Sequence, residues 1–561
     1  MKKSKWLLVM LAIVMIASIA LVGCGKSEEA NPPADNSGQQ NAGTQTEQPK
    51  QEEPQELVLN ASTEPPSLNP NTATDSTSGE ILRQVMEGLV RLDKDSKVVK
   101  GSGMAEDWTI SEDGLTITFK IKDNVFWSNG DPVTAEDFEY AWKQVLNPET
   151  AADYAYQLFY LKNGEKYNAG EVSADEVGVK ALDEKTLEVT LEAPVPYFIS
   201  LTAFYSLYPV PSKVAKENPD WAADAETYVS NGPFKLTKWE HDSEVVVEKN
   251  DKYWNADNIK LNKITWMMVN DPNTEYQLFK SGDLDVAENP PSDLLKQLLD
   301  SGEAKAPNIL GTYMYMFNVE KEPFNNANIR KAFTLAIDRK LLIDNVTQGG
   351  QVPALGFVPP GSSPDLGFDF REKAGNYYND ADVEKAKEYL KKGMEELGIT
   401  QLPEITLMFN TSEGHQKIAQ AIQEMWKKNL GVEVKLQNQE WKVYLETLKS
   451  GDFQIGRLGW LADYFDPMTF LDMWITDGGN NDTNWSNKEY DDLIAKAKST
   501  DDQSVRGEAM LKAEKILMDE MPIAPIYFYT DAYMMQPWVK GAIRHPDGSN
   551  DYTQAYIEGR K

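Results

Sequence analysis

Cysteine is all but missing: Cys24 is the only one in 561 residues, so no intramolecular disulfide can form and the folded part must rest on its apolar core. Histidine is nearly as scarce. His241, His415 and His545 lie too far apart in the chain to suggest a cluster, which argues against a zinc site or a Cys/His nucleophile. Positive charge is in deficit, 56 Lys and Arg against 88 Asp and Glu, for a net charge of −32. A field of that sign disfavours nucleic acid and anionic membrane surfaces as partners and favours neutral or cationic ones. Also absent are Gly-x-Ser-x-Gly, Ser-x-x-Lys, His-Glu-x-x-His and a Walker glycine loop. Acids are too abundant for counting to exclude a glycosidase-like pair, but most acids in such a composition are solvated surface. No metal site and no cofactor are expected.

What is present begins with an address. Lys2, Lys3 and Lys5 precede an apolar run from Trp6 to Val22, which reads as a signal peptide over residues 1–23 before it reads as a membrane span. Leu21-Val22-Gly23-Cys24 resembles a lipobox, where the thiol is lipidated and the chain is cut just before it. A diacylglyceryl group supplies the two acyl chains that stable anchoring needs. From Gly25 to about Gln55 the chain is polar and nearly without apolar residues, so it cannot bury enough to fold. Residues 24–55 thus read as a lipidated Cys24 and a disordered tether, whose coil would span on the order of 30 Å.

The folded chain is expected to begin with a strand at Glu56 to Asn60, followed by an extended stretch around Pro65 and Pro66, which donate no hydrogen bonds. Ile81, Leu82, Val85 and Leu89 share a face, which predicts a helix over 81–89. Asp113-Gly114 between alternating runs predicts a hairpin, with Leu115, Ile117, Phe119 and Ile121 on one face. Thr134 and Asp137 have capping-box spacing for a helix beginning near Ala135, and a second hairpin is expected over 177–191. The α+β character of this region gives way near Leu201.

An internal echo follows: Tyr276 to Ala287 matches Leu445 to Gly456, each copy preceded by a strand and carrying a Lys-Ser-Gly-Asp stop. Both read as β-α-β units with a parallel returning strand, so two α/β lobes are expected to face one another across a cleft. Asp283 and Asp285 alternate as metal ligands would, but the second copy keeps only the first acid, which favours a turn-and-strand role. Helices are expected over 381–397 and 418–430. The apolar stretch 522–539 is expected to carry the chain back to the first lobe.

The second echo runs straight into the chemistry. Arg457 lies on the returning strand, and Asp463 stands among Trp460, Tyr464 and Phe465 just before Pro467, which should end the strand. One cation and one carboxylate in an aromatic wall, at the end of a strand, suit a zwitterion with an apolar body.

Gly459 to Pro467 resembles the ligand-contacting segment of the oligopeptide-binding lipoproteins, the substrate-capturing subunits of peptide importers (extracytoplasmic solute-binding protein family 5). The blocks from Trp108 to Phe138 resemble that family's signature region. The resemblance implies two α/β lobes around a ligand cleft, similar to the type II periplasmic binding proteins, plus an inserted α+β domain. Lobe I would take 56–76, 202–310 and 531–561; the inserted domain 77–201; and lobe III 311–530. By the same resemblance, Asp463 would pair with a peptide's α-ammonium, while Gly459, Trp460 and Leu461 would offer a strand edge. Thr63 to Pro66, including Glu64, would line the opposite side. Trp441 and Trp460, with Tyr464 beside Asp463, would wall side-chain pockets, and Arg457 and a protonated His415 would meet the peptide carboxylate at different lengths. Two family cations are replaced, by Thr347 and by Leu448 beside Lys449. The implied function is a monomeric receptor, anchored by lipid on the outer face of the cell membrane, that binds oligopeptides and delivers them to the permease subunits of an ABC importer. It would not be an enzyme. The alternatives are the same fold with a dipeptide, a nickel chelate or a signalling peptide, and a secreted hydrolase using a carboxylate pair.

Overall fold

Buried Leu57 and Leu59 alternate with half-buried neighbours, the pattern of a strand with one covered face, and they form β1 (Glu56–Asn60) in the computed structural model, which describes residues 53–560. The expected signal peptide, Cys24 and nearly all of the tether lie outside the described residues. Helix α1 (Ser76–Val85) starts five residues before the predicted one, because the Asp75 carboxylate accepts the Ser78 N–H at 3.1 Å and caps it. It also stops early. The Glu87 N–H donates to the Asn231 side chain at 2.9 Å, so tertiary contacts take this backbone out of the helix despite the periodic Leu89.

The predicted hairpins are β2 (Ala105–Ile110) with β3 (Thr116–Ile121), and β4 (Val179–Asp183) with β5 (Thr186–Thr190). They join as one antiparallel sheet in the order β2-β3-β5-β4, with Ile117, Phe119 and Ile121 buried. Helix α2 (Ala135–Leu146) covers it and carries the Thr134/Asp137 capping box. Next, β6 (Phe234–Glu240), β7 (Glu244–Lys249) and β8 (Lys263–Met267) add to β1 in the order β1-β8-β7-β6.

Both echoes fold as helix followed by strand. In the first, α3 (Pro272–Ser281) ends at Gly282, whose φ of +86° is the left-handed stop a glycine accepts, and leads to the short β9 (Val286–Ala287). The third sheet contains β10 (Asn308–Phe317), β11 (Val352–Pro353), β12 (Ile405–Asn410), β13 (Val434–Gln439), β14 (Ile455–Leu461) and β15 (Ile523–Thr530), ordered β11-β15-β10-β14-β12-β13. Helices α4 (Val383–Leu397), α5 (Glu413–Leu430), α6 (Trp441–Lys449), α7 (Lys488–Lys498) and α8 (Gln503–Glu520) accompany it. In the second echo β13 and β14 run parallel as predicted, but β12 lies between them and is parallel to both. In the first echo β1 holds the equivalent place, parallel to β8 and accepting the Asp285 N–H at its Val58 carbonyl. Asp285 itself is spent on structure: its carboxylate accepts from Val58, Trp538 and Arg560.

The stretch 522–539 does not simply return to the first lobe. Its first part is β15, paired along the central β10, and only β16 (Met534–Met535) crosses to pair with β9. Helix α5 begins at Glu413 rather than Ile418, capped by Ser412. Among the described residues no helix is long and apolar enough to cross a membrane, and no group of three or more metal-ligating side chains is gathered.

Candidate functional site

Strand β14 pairs with β10 along its length, from Gly311 opposite Leu461 to Phe317 opposite Ile455, but with β12 only at Ile455 and Gly456. The Tyr444 hydroxyl separates the two strands beyond that point, 3.2 Å from the Met408 carbonyl and 2.7 Å from that of Arg457. Ala462 N–H donates to the Leu310 carbonyl, which sets the alternation of the antiparallel ladder. The main-chain groups of Gly459 and Leu461 therefore face the open side. Gly459 also has to be small, because a Cβ there would lie 2.2 Å from the Tyr529 hydroxyl. The free edge borders a cleft of about 660 Å³, lined also by Asp463, Arg457, His415, Trp441 and Trp460.

Asp463 follows β14 and faces this cleft. Its Oδ1 accepts from Tyr154 at 3.2 Å and its Oδ2 from Gln157 at 2.8 Å, while its own N–H donates to Thr469. Among the described residues no cation forms an ion pair with it. Burial first, and the nearby Asp472 charge second, push its carboxyl well above the usual carboxylate range. A group in that state gains most from a cation supplied from outside.

Arg457 is buried, and its partners are neutral: Asn410 at 3.3 Å, Tyr529 at 2.7 Å, and the face of Tyr313 with its centroid at 4.5 Å. No carboxylate among the described residues pairs with it, and its Nε has no hydrogen-bond partner. Asp463 and Arg457 thus bring an acid and a cation, neither of them ion-paired among the described residues, to one cleft. His415, in the first turn of α5, lies 3.4 Å from the Tyr313 hydroxyl. Burial, and after it the neighbouring Arg457, hold its imidazole well below the ordinary value. With no carboxylate beside it among the described residues, the ring therefore favours its neutral form in this cleft, and a charged His415 would need a peptide carboxylate to draw the proton on.

Two other expected site residues point elsewhere. The Glu64 carboxylate accepts from Trp239 at 2.9 Å and from the Asp242 N–H, and lies 2.6 Å from His241, so it braces the β6–β7 hairpin; Thr63 lines the cleft instead. Tyr464 is buried, stacked on Tyr197 at 4.9 Å, with its hydroxyl donating to Asp472. It follows Asp463 directly in the bend beyond β14, but its ring and hydroxyl are taken up by Tyr197 and Asp472. Trp441 does line the cleft, and its Nε1 reaches Asp75 across it at 3.3 Å. Thr63 to Glu440 at 3.2 Å and Lys417 to Asp293 at 3.2 Å also span the two sides, so the cleft is closed. Leu448 is core, packed where a Cβ on Gly456 would meet it, and is no vacated cation position on the cleft wall. Lys449, beside it, bonds Asp153 and the Gly479 carbonyl. Tyr154 and Gln157, which seat Asp463, were not singled out from sequence.

Residues 101–482 match the family described as "Bacterial extracellular solute-binding proteins, family 5 Middle". The oligopeptide-binding protein OppA of Bacillus subtilis is 48% identical over 511 residues, covering 90% of this chain and 92% of that protein. The chain belongs to this family. The dipeptide-binding protein DppE of the same organism is 44% identical over 534 residues, covering 95% of this chain and 96% of that protein. In structure, OppA of Listeria monocytogenes bound to peptide superposes with a TM-score of 0.84 at 35% identity, over 90% of this chain and 100% of that one. The fold is therefore the two-lobed α/β arrangement of type II periplasmic binding proteins with an extra domain, as family 5 membership implied.

Proposed function

We infer that this family 5 protein is the substrate-capturing receptor of a peptide ABC importer, held by lipid on the outer face of the cell membrane and without catalysis of its own. The observation that carries the reading is the unpaired Asp463 carboxylate at the end of an open strand edge. An ammonium can pair with the carboxylate while a peptide main chain pairs with Gly459 and Leu461, as in strand addition. A cleft of about 660 Å³ lies in the middle of the range of small-ligand sites. Relatives named for oligopeptide and dipeptide binding, and neighbours solved with peptide, support the class of ligand. Main-chain recognition gives affinity without sequence choice, and waters adapt the remaining space to each side chain. Calorimetric titration with tetra-alanine tests the reading: saturable binding is expected, and the recovered peptide should be uncut. Absence of binding, or the appearance of shorter products, overturns it.

Arg457 should neutralise the carboxylate of shorter peptides, since each added residue moves that group about 3.3 Å further along the cleft. Arg457→Ala is expected to weaken short alanine peptides about tenfold more than long ones. Because its ring favours the neutral form, His415→Ala should change affinity less than about tenfold at neutral pH whatever the length. Equal losses across the length series in the Arg457 variant would remove it from this role.

For the anchor, Cys24→Ala should leave the chain uncut at Gly23 and without lipid, as read by intact mass of membrane-purified protein. Wild-type protein from membranes with no lipid mass on Cys24 would end the lipoprotein reading.

A further inference from the structure

Beyond the Asp463 seat the cleft holds a second carboxylate without a partner. Asp482 lines it and, among the described residues, accepts no hydrogen bond and forms no ion pair, although it stands on a fixed segment. Its neighbours Asn481 and Thr483 are buried, and Asn481 donates to the Ile475 and Trp485 carbonyls at 3.0 and 2.8 Å. The charged groups that bear on Asp482 are Lys449 and Asp153. Lys449 is already shared between Asp153 and the Gly479 carbonyl. Two carboxylates therefore face one ammonium, and the set lacks one positive charge. Burial pushes the Asp482 carboxyl up to about 7, with Lys449 pulling the other way and Asp153 adding to the rise.

The walls suit a long aliphatic stem. Trp441, Leu445 and Lys449 are spaced by four on α6, so they lie along one helix face, and all three line the cleft. A side chain that runs over Trp441 and Leu445 would bring its tip toward Asp482. The place in the ligand follows from chain geometry: Asp153 adjoins Tyr154, whose hydroxyl donates to Asp463. The second carboxylate group is thus close to the seat of the peptide's ammonium.

We propose that Asp482, with Asp153, forms a subsite for a basic side chain, lysine or arginine, at one of the first three residues of the captured peptide, with its stem along Trp441 and Leu445. This rests on the peptide-receptor reading and adds a preference to it. Ligands of this class would be chosen by charge near the amino end while the remaining positions stay permissive. The net negative charge of the chain works in the same direction.

The test replaces each position of tetra-alanine in turn by lysine and by norleucine, which keeps the stem and lacks the charge, and measures Kd by calorimetry. Wild-type protein is expected to prefer lysine over norleucine by about tenfold or more at one of the first three positions, and Asp482→Asn should reduce that ratio to within about threefold. The wild-type comparison needs no variant, so a poorly folding Asp482→Asn does not protect the proposal. Peptides that bind with equal affinity whether lysine or norleucine is present overturn the subsite and leave the receptor reading standing, as does a lysine preference unchanged in the Asn variant. Failure of every peptide to bind overturns the receptor reading itself, and the subsite with it.

Discussion

Asp463→Asn is expected to weaken binding of an unblocked peptide by about 2–5 kcal/mol, because deleting one partner of a desolvated charge pair leaves the other buried and uncompensated. The substitution keeps the shape, but it removes the charge and turns one of two acceptors, already met by Tyr154 and Gln157, into a donor. N-acetylated peptides should lose a comparable amount against the wild type. The pH dependence follows in sign from the raised carboxyl. In the empty closed cleft Asp463 holds its proton above the usual carboxylate range, so this form is favoured at low pH and loses stability as pH rises through the raised value. A peptide ammonium draws the same pKa down, so the complex holds fewer protons than the empty closed form. Affinity should therefore climb as pH rises from the ordinary carboxylate range, then fall once the peptide's own amine deprotonates near about 8. Asp463→Asn should flatten the acid limb. Calorimetry of free and acetylated tetra-alanine across this range checks both effects, and equal affinity for the two peptides would remove Asp463 from the role.

Empty and closed is an unfavourable state for this carboxylate. No cation of the protein pairs with Asp463 among the described residues, so its burial comes at the expense of hydration, a cost that a ligand's ammonium would offset. On the proposed reading closure and capture would be coupled: a ligand that brings a cation to Asp463 would favour a closed form over an open one by its differential interaction. Thr63 with Glu440, Trp441 with Asp75 and Lys417 with Asp293 are the contacts that span the two sides of the cleft.

Local signals in the sequence survive in the fold, and the failures have distance as their common cause. Asp113-Gly114, the Thr134/Asp137 box and Gly282 act within a few residues of themselves, and each produces the predicted turn, cap or stop. The echo was legible as helix and strand, yet the strand each echo strides over, β1 in one case and β12 in the other, comes from elsewhere in the chain. Asp463 could be picked out because Pro467 limits its strand, whereas Tyr154 and Gln157, which hold it, are some three hundred residues away. Tyr464 was assigned to the cleft because it adjoins Asp463, but its partners Tyr197 and Asp472, which draw it inward, could not be read from its neighbours. Glu64 was misassigned for lack of its partners Trp239 and His241, and the lowered pKa of His415 comes first from its burial and then from Arg457, neither of which any spacing reveals.

Arg371→Met is expected to cost about 3–5 kcal/mol of stability, through the buried carboxylate it would strand. Glu514, on α8, is fully buried and holds a bidentate pair with Arg371 at 2.8 and 2.7 Å. The same carboxylate accepts the Phe357 and Val358 N–H groups, both at 2.8 Å, and the Tyr377 hydroxyl at 2.8 Å. Gly356 makes room for the guanidinium, since a Cβ there would lie 1.9 Å from Arg371 Nη1. The cluster supports the floor of the cleft: the Phe357 carbonyl accepts the Thr312 hydroxyl at 2.7 Å, and Thr312 on β10 sits opposite Trp460 on β14. Removing the cation leaves three neutral donors around an ion that water cannot reach. The double variant Arg371→Met/Glu514→Gln should recover most of the loss, because the amide oxygen can still accept from Phe357 and Val358 while the buried charge is gone. Urea unfolding of wild type, the single and the double variant measures this. A single variant within about 1 kcal/mol of wild type, or a double variant no more stable than the single, would show that the Glu514 carboxylate is not held by Arg371 in the way its geometry requires.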